Sequence, residues 1–112
     1  MKLLIAGSRS IKDMDIAPYI PKGVEVIISG AANGVDTLAE QYADKMRLSK
    51  YIMRPNYARY RRGAQIKRNN EMVDFCDRIL VFWDGISKGT KHTIDYAEKT
   101  GKPIEIITVT LK

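Results

Sequence analysis

The sequence predicts an α/β fold: a small Rossmann-like three-layer sandwich of about five mostly parallel strands with helices on both faces. Strand and helix patterns alternate along the chain. The strand candidates are short apolar runs without polar alternation, which is typical of strands buried on both faces of a parallel sheet. A chain of 112 residues has a common size for one domain, so residues 1–112 are predicted to form a single domain.

Five strands are predicted from runs of aliphatic and β-branched residues that end at glycine, proline or a polar turn. The most continuous of these runs is Arg78–Trp83. In chain order, the predicted strands are Lys2–Ala6, Val24–Ser29, Tyr51–Met53, Arg78–Trp83 and Ile104–Val109.

Four helices are predicted between these strands. The clearest begins at Val35, because Leu38, Ala39 and Tyr42 follow it at the i+3, i+4 and i+7 positions of one helix face. The last helix is stopped by Gly101, since glycine is common just beyond a helix end. The predicted helices are Asp13–Tyr19, Val35–Met46, Ala64–Phe75 and Thr90–Lys99.

Composition and cysteine content predict a globular cytoplasmic protein. Hydrophobic residues make up 45% of the chain and charged residues 29%, which are ordinary values for a soluble domain. No apolar run approaches the ~20 residues of a membrane span, so no membrane partner is predicted. The single cysteine, Cys76, excludes an internal disulfide and, with only one histidine in the chain, argues against a metal site.

The net charge of +6 is concentrated between residues 54 and 70, a segment without acidic residues. Its cations are interleaved with Tyr57 and Tyr60, a pattern that can stack bases and neutralise the phosphates of a single strand. A nucleic-acid partner is therefore one prediction for this segment. The contacting residues would be Arg59, Arg61 and Arg62. The other interpretation is a solvated basic face with both tyrosines packed beneath the loop.

Three strand-to-helix turns carry small and hydroxyl residues: Gly7–Ser10, Ser29–Asp36 and Trp83–Thr90. Crossovers between parallel strands are right-handed, so these turns meet at the carboxyl edge of the sheet, where ligands bind. Glycine lets the backbone approach a ligand, and the start of each following helix offers free N–H groups to an anion. The turns contain neither the G-x-G-x-x-G fingerprint nor a Walker loop, which argues against an ordinary dehydrogenase or a P-loop enzyme.

The third predicted helix adds Arg68 and Asn69. The arginine can hold a phosphate or carboxylate, and the amide can read a base or ribose edge. The predicted ligand-binding residues are Gly7, Ser8, Arg9, Ser29, Gly30, Gly34, Asp36, Arg68, Asn69, Asp84, Gly85, Ser87, Gly89 and Thr90. For Asp36 a purely structural role is also open, because Asn33 and Asp36 fit a capping box at the start of a helix.

Two further side chains have a structural and a functional interpretation. Trp83, at the end of a strand, either packs in the core or forms a wall against which a base stacks. His92 is either a polar surface residue or an acid–base group that titrates near neutral pH.

Five motifs in a fixed order resemble the SLOG superfamily, and in particular its small single-domain YspA/YpsA-like branch. They are Gly7-Ser8-Arg9, Ser29–Asp36, Arg68-Asn69-x-x-Met72, Asp77 and Gly85-x-Ser87-x-Gly89-Thr90. The resemblance covers nearly the whole chain and is typical of bacterial or phage proteins. The superfamily also contains the Lonely Guy phosphoribohydrolases and DNA-processing protein A (Smf). The resemblance implies a nucleotide or nucleotide-derived ligand, such as AMP, ADP-ribose or NAD, at the carboxyl edge.

The chain departs from the Lonely Guy enzymes at one chemically decisive position. The spacing of Arg68, Met72 and Asp77 matches theirs and implies that Arg68 faces a phosphate or ribose. Their glutamate, however, falls at Thr93 in this chain. Splitting an N-glycosidic bond passes through an oxocarbenium-like transition state, which a carboxylate stabilises and a threonine hydroxyl does not.

The resulting expectation is a nucleotide-binding or nucleotide-sensing domain without strong catalytic activity and with no certain cofactor. One alternative is an N-glycosidic-bond hydrolase of the phosphoribohydrolase type. Its candidate catalytic residues are Arg68, His92 and Asp84. The other alternative is a single-stranded nucleic-acid-binding module like DNA-processing protein A. A homodimer is compatible with each of these functions.

Overall fold

The computed structural model describes residues 1–110 and contains the predicted alternation of strands and helices. The strands are β1 (Lys2–Gly7), β2 (Val26–Ser29), β3 (Ser49–Ile52), β4 (Arg78–Trp83) and β5 (Ile104–Thr108). The helices are α1 (Val35–Lys45), α2 (Tyr57–Tyr60), α3 (Ala64–Phe75) and α4 (Lys88–Thr100), with 3₁₀ turns at Ala17–Tyr19 and Arg61–Gly63.

The five strands form one sheet in the order β3-β2-β1-β4-β5, and every neighbouring pair is parallel. Leu4 of β1 is in register with Ile28 of β2 on one side and with Ile79 of β4 on the other. β2 pairs with one side of β1, and β3 pairs with β2 at the sheet edge. The next strand in the chain, β4, pairs with the other side of β1, and β5 pairs with β4. The strand order therefore reverses between β1 and β4, which is where such sheets bind ligands. The predicted fold class is confirmed.

Alternate side chains of the central strands supply two separate cores. On one face, Leu3 and Ile5 of β1 pack with α1 and with the loop that follows β1. On the other face, Leu4 of β1 and Val81 of β4 pack with α3 and α4. Because both faces of the sheet are covered, the strands appear in the sequence as continuous apolar runs. Cys76 belongs to the second core and is buried.

The predicted helix Asp13–Tyr19 is wrong, because only a 3₁₀ turn at Ala17–Tyr19 forms there. The Asp15 side chain accepts a hydrogen bond from the Ala17 backbone N–H at 3.1 Å, a local bond that competes with helix formation. Ile11 and Ile16 are buried against the sheet from this irregular segment. Burial of two isoleucines, rather than helix formation, stabilises the connection between β1 and β2.

Smaller differences concern element ends. β3 begins at Ser49, two residues before the predicted start at Tyr51. The prediction was late because Ser49 and Lys50 lie exposed at the sheet edge and give no apolar signal. The short helix α2 was not predicted; its start is capped by Asn56, whose Oδ1 accepts from the Arg59 N–H at 3.1 Å. Among residues 1–110, no helix is long and apolar enough to cross a membrane.

Candidate functional site

A cleft of about 360 Å³ opens at the carboxyl edge of the sheet, beside the end of β1. The turns after β1, β2 and β4 and one face of α3 form its walls. The lining residues are Ala6, Gly7, Arg9, Ser10, Ala32, Asp36, Gln65, Arg68, Asn69, Met72, Ser87, Lys88, Gly89, Thr90 and Thr93. Small-molecule sites of proteins commonly enclose ~300–1,000 Å³, so the cleft lies near the small end of that range.

Most of the residues predicted to bind a ligand line this cleft. They are Gly7, Arg9, Asp36, Arg68, Asn69, Ser87, Gly89 and Thr90. The remaining predicted residues do not line it. They are Ser8, Ser29, Gly30, Gly34, Asp84 and Gly85.

Arg68 projects from α3 into the cleft and is only 8% exposed. Its Nε donates to Asn69 Oδ1 at 2.9 Å, and its Nη1 donates to the carbonyl oxygens of Gly30 and, at 3.4 Å, Met53. Within residues 1–110, Nη2 has no hydrogen-bond partner. Every fully buried side-chain nitrogen or oxygen in that range has a partner, so Nη2 is not fully buried. Nη2 therefore reaches the open space of the cleft and is free to bind an anion.

Asp36 is the only carboxylate among the lining residues and is 7% exposed. Its Oδ2 accepts from the Ala32 N–H at 3.1 Å. Burial raises the pKa of Asp36 above its ordinary value, although the Ala32 hydrogen bond and the nearby Arg68 charge oppose that shift. Burial likewise lowers the pKa of Arg68, and Asp36 opposes that shift. The two buried charges thus partly compensate each other on the wall of the cleft.

Gly30 lets Arg68 approach the turn after β2. A Cβ atom at this position would lie 2.6 Å from Arg68 Nη1 and 3.0 Å from Asp36 Oδ2. Any larger residue would therefore displace the guanidinium. Gly34 serves a different close approach: it has φ +76, and a Cβ there would lie 2.6 Å from the backbone of Ser8 and Arg9.

The floor of the cleft joins the ends of the two central strands. Ser8, which is buried after β1, accepts a hydrogen bond at Oγ from the Asp84 backbone N–H at 3.1 Å. The same Oγ lies 3.4 Å from Thr90 Oγ1. At the end of β2, Ser29 Oγ donates to the backbone carbonyl of Asp36 at 3.3 Å. These hydroxyl groups fix the turns relative to one another.

Asp84 organises the turn between β4 and α4 and does not line the cleft. Its Oδ1 accepts from the backbone N–H groups of Ile86 and Ser87 at 3.0 and 2.8 Å. Its Oδ2 accepts from Ser10 Oγ at 2.7 Å and Ser87 Oγ at 2.8 Å. The Ser10 hydrogen bond, followed by the bonds from Ile86 and Ser87, holds the pKa of Asp84 well below its ordinary value. Both oxygens of this catalytic candidate are therefore already bonded within the loop. Gly85, at φ +87, continues the same turn.

The first turn of α4 faces the cleft through Lys88, Gly89 and Thr90. The N-terminal end of a 13-residue helix carries free N–H groups and a partial positive charge. Arg9 and Lys88 are exposed at the rim. With Arg68, they bring three cations to a cleft that contains one carboxylate, so the site favours an anionic ligand.

Thr93 occupies the wall one turn into α4 and is 3% exposed. Its Oγ1 donates to the Gly89 carbonyl at 3.3 Å, a bond within its own helix. His92 lies outside the cleft, with Nε2 3.3 Å from Asn70 Oδ1. Trp83 also lies outside it: its ring packs against the second core, and its Nε1 donates to the Ser87 carbonyl at 3.1 Å. Trp83 is thus a partly buried residue at the margin of the second core, bonded to a residue of the cleft wall.

Seven lining residues were not among the predicted ligand-binding residues. They are Ala6, Ser10, Ala32, Gln65, Met72, Lys88 and Thr93. A signal existed for two of them, because Gln65 and Met72 stand three residues before Arg68 and three after Asn69, on the same face of α3. Ser10, Ala32 and Lys88 also had a signal, because they lie within the three turns that were predicted to meet at this edge of the sheet.

The basic segment forms a surface next to the cleft. Arg59, Arg61 and Arg62 are exposed and do not line the cleft. The Arg59 guanidinium lies 5.3 Å from the centre of the Tyr60 ring, and Lys67 Nζ lies 5.7 Å from it on α3. These contacts are within the range of cation–π interactions and order the cations around one aromatic ring.

Comparison with known proteins finds a phage relative. The chain is 33% identical over 117 aligned residues to the Gene 61 protein of Mycobacterium phage D29, and the alignment covers 92% of this chain and 93% of that protein. No protein-family model matches the chain. No solved structure matches it either.

Proposed function

This chain belongs to the family of the Gene 61 protein of Mycobacterium phage D29, and we propose that it binds or senses a nucleotide or nucleotide derivative without strong catalytic activity. The observation that carries this proposal is the cleft at the reversal of strand order. Arg68, whose Nη2 has no hydrogen-bond partner among residues 1–110, and the start of α4 both line it. The resemblance of the ordered motifs to the SLOG superfamily supports the same ligand class. We extend the proposal to membership of its YspA/YpsA-like branch.

The chemistry of the cleft favours a phosphorylated ligand. A phosphate group fits the N–H groups at a helix start and the planar donor fork of an arginine. Arg9 and Lys88 at the rim add charge that attracts such a ligand from solution. Asn69, Ser87 and Thr90 supply polar atoms for a ribose or a second phosphate oxygen. AMP, ADP-ribose and NAD are the ligands to be tested first.

The three positions at which a catalytic carboxylate could stand argue for binding rather than cleavage. Thr93 replaces the acid that the resemblance would require, and its hydroxyl is bonded to Gly89. Asp84 does not line the cleft, and its carboxylate is bonded to Ser10 and Ser87. Asp36 is the remaining carboxylate in the cleft, and it is bonded to Ala32 and balanced by Arg68. Among residues 1–110, Asp36 is therefore the one cleft-lining carboxylate left to the hydrolase alternative.

A titration of the intact protein with AMP, ADP-ribose, NAD and cyclic AMP tests the proposal by calorimetry and thermal shift. A ligand at 100 times its Kd is expected to stabilise the protein by about 2.7 kcal/mol. Lys88→Ala and Arg9→Ala should each weaken binding several-fold, because both are exposed at the rim and have no protein partner to lose among residues 1–110. Lys99→Ala is the matched control, because Lys99 is exposed at the opposite end of α4.

Absence of binding by all four ligands would contradict the proposal. So would equal losses in Lys88→Ala and Lys99→Ala, since this would indicate unspecific attraction to a basic protein. The hydrolase alternative is tested by chromatography of AMP incubated with excess protein. Release of adenine that disappears in Asp36→Asn would establish that alternative instead.

A second candidate function is favoured by the exposed cluster of Arg59, Arg61 and Arg62 beside the cleft. Exposed cations around an aromatic ring suit the backbone of a single-stranded nucleic acid. A gel-shift titration with a short oligonucleotide at low salt tests it, and the affinity should fall steeply as salt increases. A flat titration would remove this candidate and leave the small-ligand proposal intact.

A further inference from the structure

Tyr57 is a large aromatic residue that is left in contact with solvent next to Gln65, a residue of the cleft wall. It is 53% exposed. Its hydroxyl accepts a hydrogen bond from Gln65 Nε2 at 2.7 Å. Gln65 lines the cleft. The tyrosine is therefore attached directly to the cleft wall, although it lies on a different helix.

The local backbone holds Tyr57 in this position. Tyr57 is the first residue of α2, and that helix is capped by Asn56. At Arg61 the backbone takes φ +51 and ends α2, so that the chain turns into α3 and brings Gln65 against Tyr57. The ring is thus supported at its hydroxyl and at its backbone, while a large part of its surface stays open.

Gln65 stands three residues before Arg68 on α3, which corresponds to about 5 Å along the helix axis. Ribose separates the phosphate from the base in a nucleotide. If the phosphate lies at Arg68 and the start of α4, the base extends along α3 toward Gln65 and Tyr57. The hydrogen bond to Tyr57 uses one Nε2 hydrogen, which leaves the other and Oε1 available.

We infer that Tyr57 and Gln65 form a nucleobase subsite at the mouth of the cleft, with Tyr57 stacking on the base and Gln65 reading its edge. This inference rests on the proposed nucleotide-binding function. A glutamine amide pairs with the N6 donor and N7 acceptor of adenine, so adenine nucleotides are the favoured class. Stacking of one base on an aromatic ring changes affinity by about tenfold or more.

The test compares AMP with ribose 5-phosphate, which lacks the base, by calorimetry on the intact protein. Tyr57→Ala should weaken AMP binding about tenfold or more and leave ribose 5-phosphate binding within twofold. Tyr57→Phe keeps the ring and should retain AMP affinity within about threefold. Tyr51→Ala is the matched control, because Tyr51 is 50% exposed and packs against Phe75 away from the cleft. Gln65→Ala should reduce the preference for AMP over UMP.

Two outcomes would overturn the subsite while the proposed function survives. The first is AMP binding that is unchanged in Tyr57→Ala. The second is an equal loss for AMP and ribose 5-phosphate, which would mean that Tyr57 acts on the cleft as a whole. If the wild-type protein binds neither compound, the subsite fails; the proposed function fails with it only if ADP-ribose, NAD and cyclic AMP do not bind either.

Discussion

Arg68 donates from Nη1 to the carbonyl oxygen of Gly30, and this bond joins α3 to the turn after β2. The same guanidinium lies near the Asp36 carboxylate, while its Nη2 stays open to the cleft. One side chain therefore combines a structural bond with a free donor. Disturbing the position of Arg68 should affect folding and binding together.

Gly30→Ala is expected to lower the free energy of unfolding by about 1–3 kcal/mol, because the new Cβ would overlap Arg68 Nη1 and force the guanidinium aside. Ligand affinity should fall at the same time. Chemical denaturation and calorimetry measure the two effects. Gly63→Ala is the control, since nothing lies within 4 Å of a Cβ there and φ is −82. That variant should be neutral or up to about 1 kcal/mol more stable, and a similar loss in both variants would contradict the argument.

Asp84→Asn should flatten the acid limb of the stability profile. The pKa of Asp84 in the folded protein lies below its ordinary value of 3.8, so its ionised form stabilises the fold fully above that pH. The stabilisation is lost as the pH falls below that value. Denaturation at a series of pH values from 2 to 7 should therefore show a steeper loss for the wild type than for Asp84→Asn. Asp13→Asn controls for the removal of one exposed carboxylate; parallel curves for wild type and Asp84→Asn would refute the prediction.

Trp83 should report binding by a change in its fluorescence. It is the only tryptophan in the chain, and its indole donates to the carbonyl of Ser87, which lines the cleft. A ligand at the start of α4 is expected to alter the environment of the ring through this bond. Trp83→Phe should lose the fluorescence change yet still bind ligand by calorimetry. A ligand that binds by calorimetry without any change in wild-type emission would show that the turn does not respond.

Simultaneous replacement of Arg59, Arg61 and Arg62 by alanine should leave the affinity for AMP within about twofold. The reason is that these side chains are exposed and do not line the cleft. Any oligonucleotide binding should fall strongly and lose part of its salt dependence. Calorimetry with AMP and a gel shift at two salt concentrations separate the two effects. A large loss of AMP affinity would mean that the basic surface and the cleft act as one site.

The parallel sheet could be predicted because burial of both faces leaves a direct trace in the sequence. Arg78–Trp83 is central and its middle residues are fully buried, so its apolar run is unbroken. Ser49 and Lys50 are exposed at the sheet edge, and β3 was accordingly placed too late. The false helix over Asp13–Tyr19 arose because its isoleucines pack on the sheet from an irregular segment.

The candidate site could be located from the sequence, but the roles within it could not be assigned. In a sequence, a glycine that leaves room for a ligand cannot be told from one that leaves room for another part of the protein. Gly30 and Gly34 belong to the second kind, because they make room for Arg68 and for the backbone of Ser8. The role of Asp84 was also ambiguous in the sequence, because it stands directly after β4, a position in which a catalytic acid is also found. Only the loop geometry shows that it accepts from Ser10 rather than facing the cleft.

The three cations of the cleft differ in how much freedom a ligand would remove. Arg9 and Lys88 are exposed, and each would lose rotamer entropy on binding, an estimated 0.5–1.5 kcal/mol per side chain. Arg68 has lost that freedom already during folding, because its Nε and Nη1 are held by the protein. Its contribution to affinity should therefore carry little entropic cost. A calorimetric comparison should find that binding through Arg68 is favoured mainly by enthalpy, with the unfavourable entropy coming from the rim.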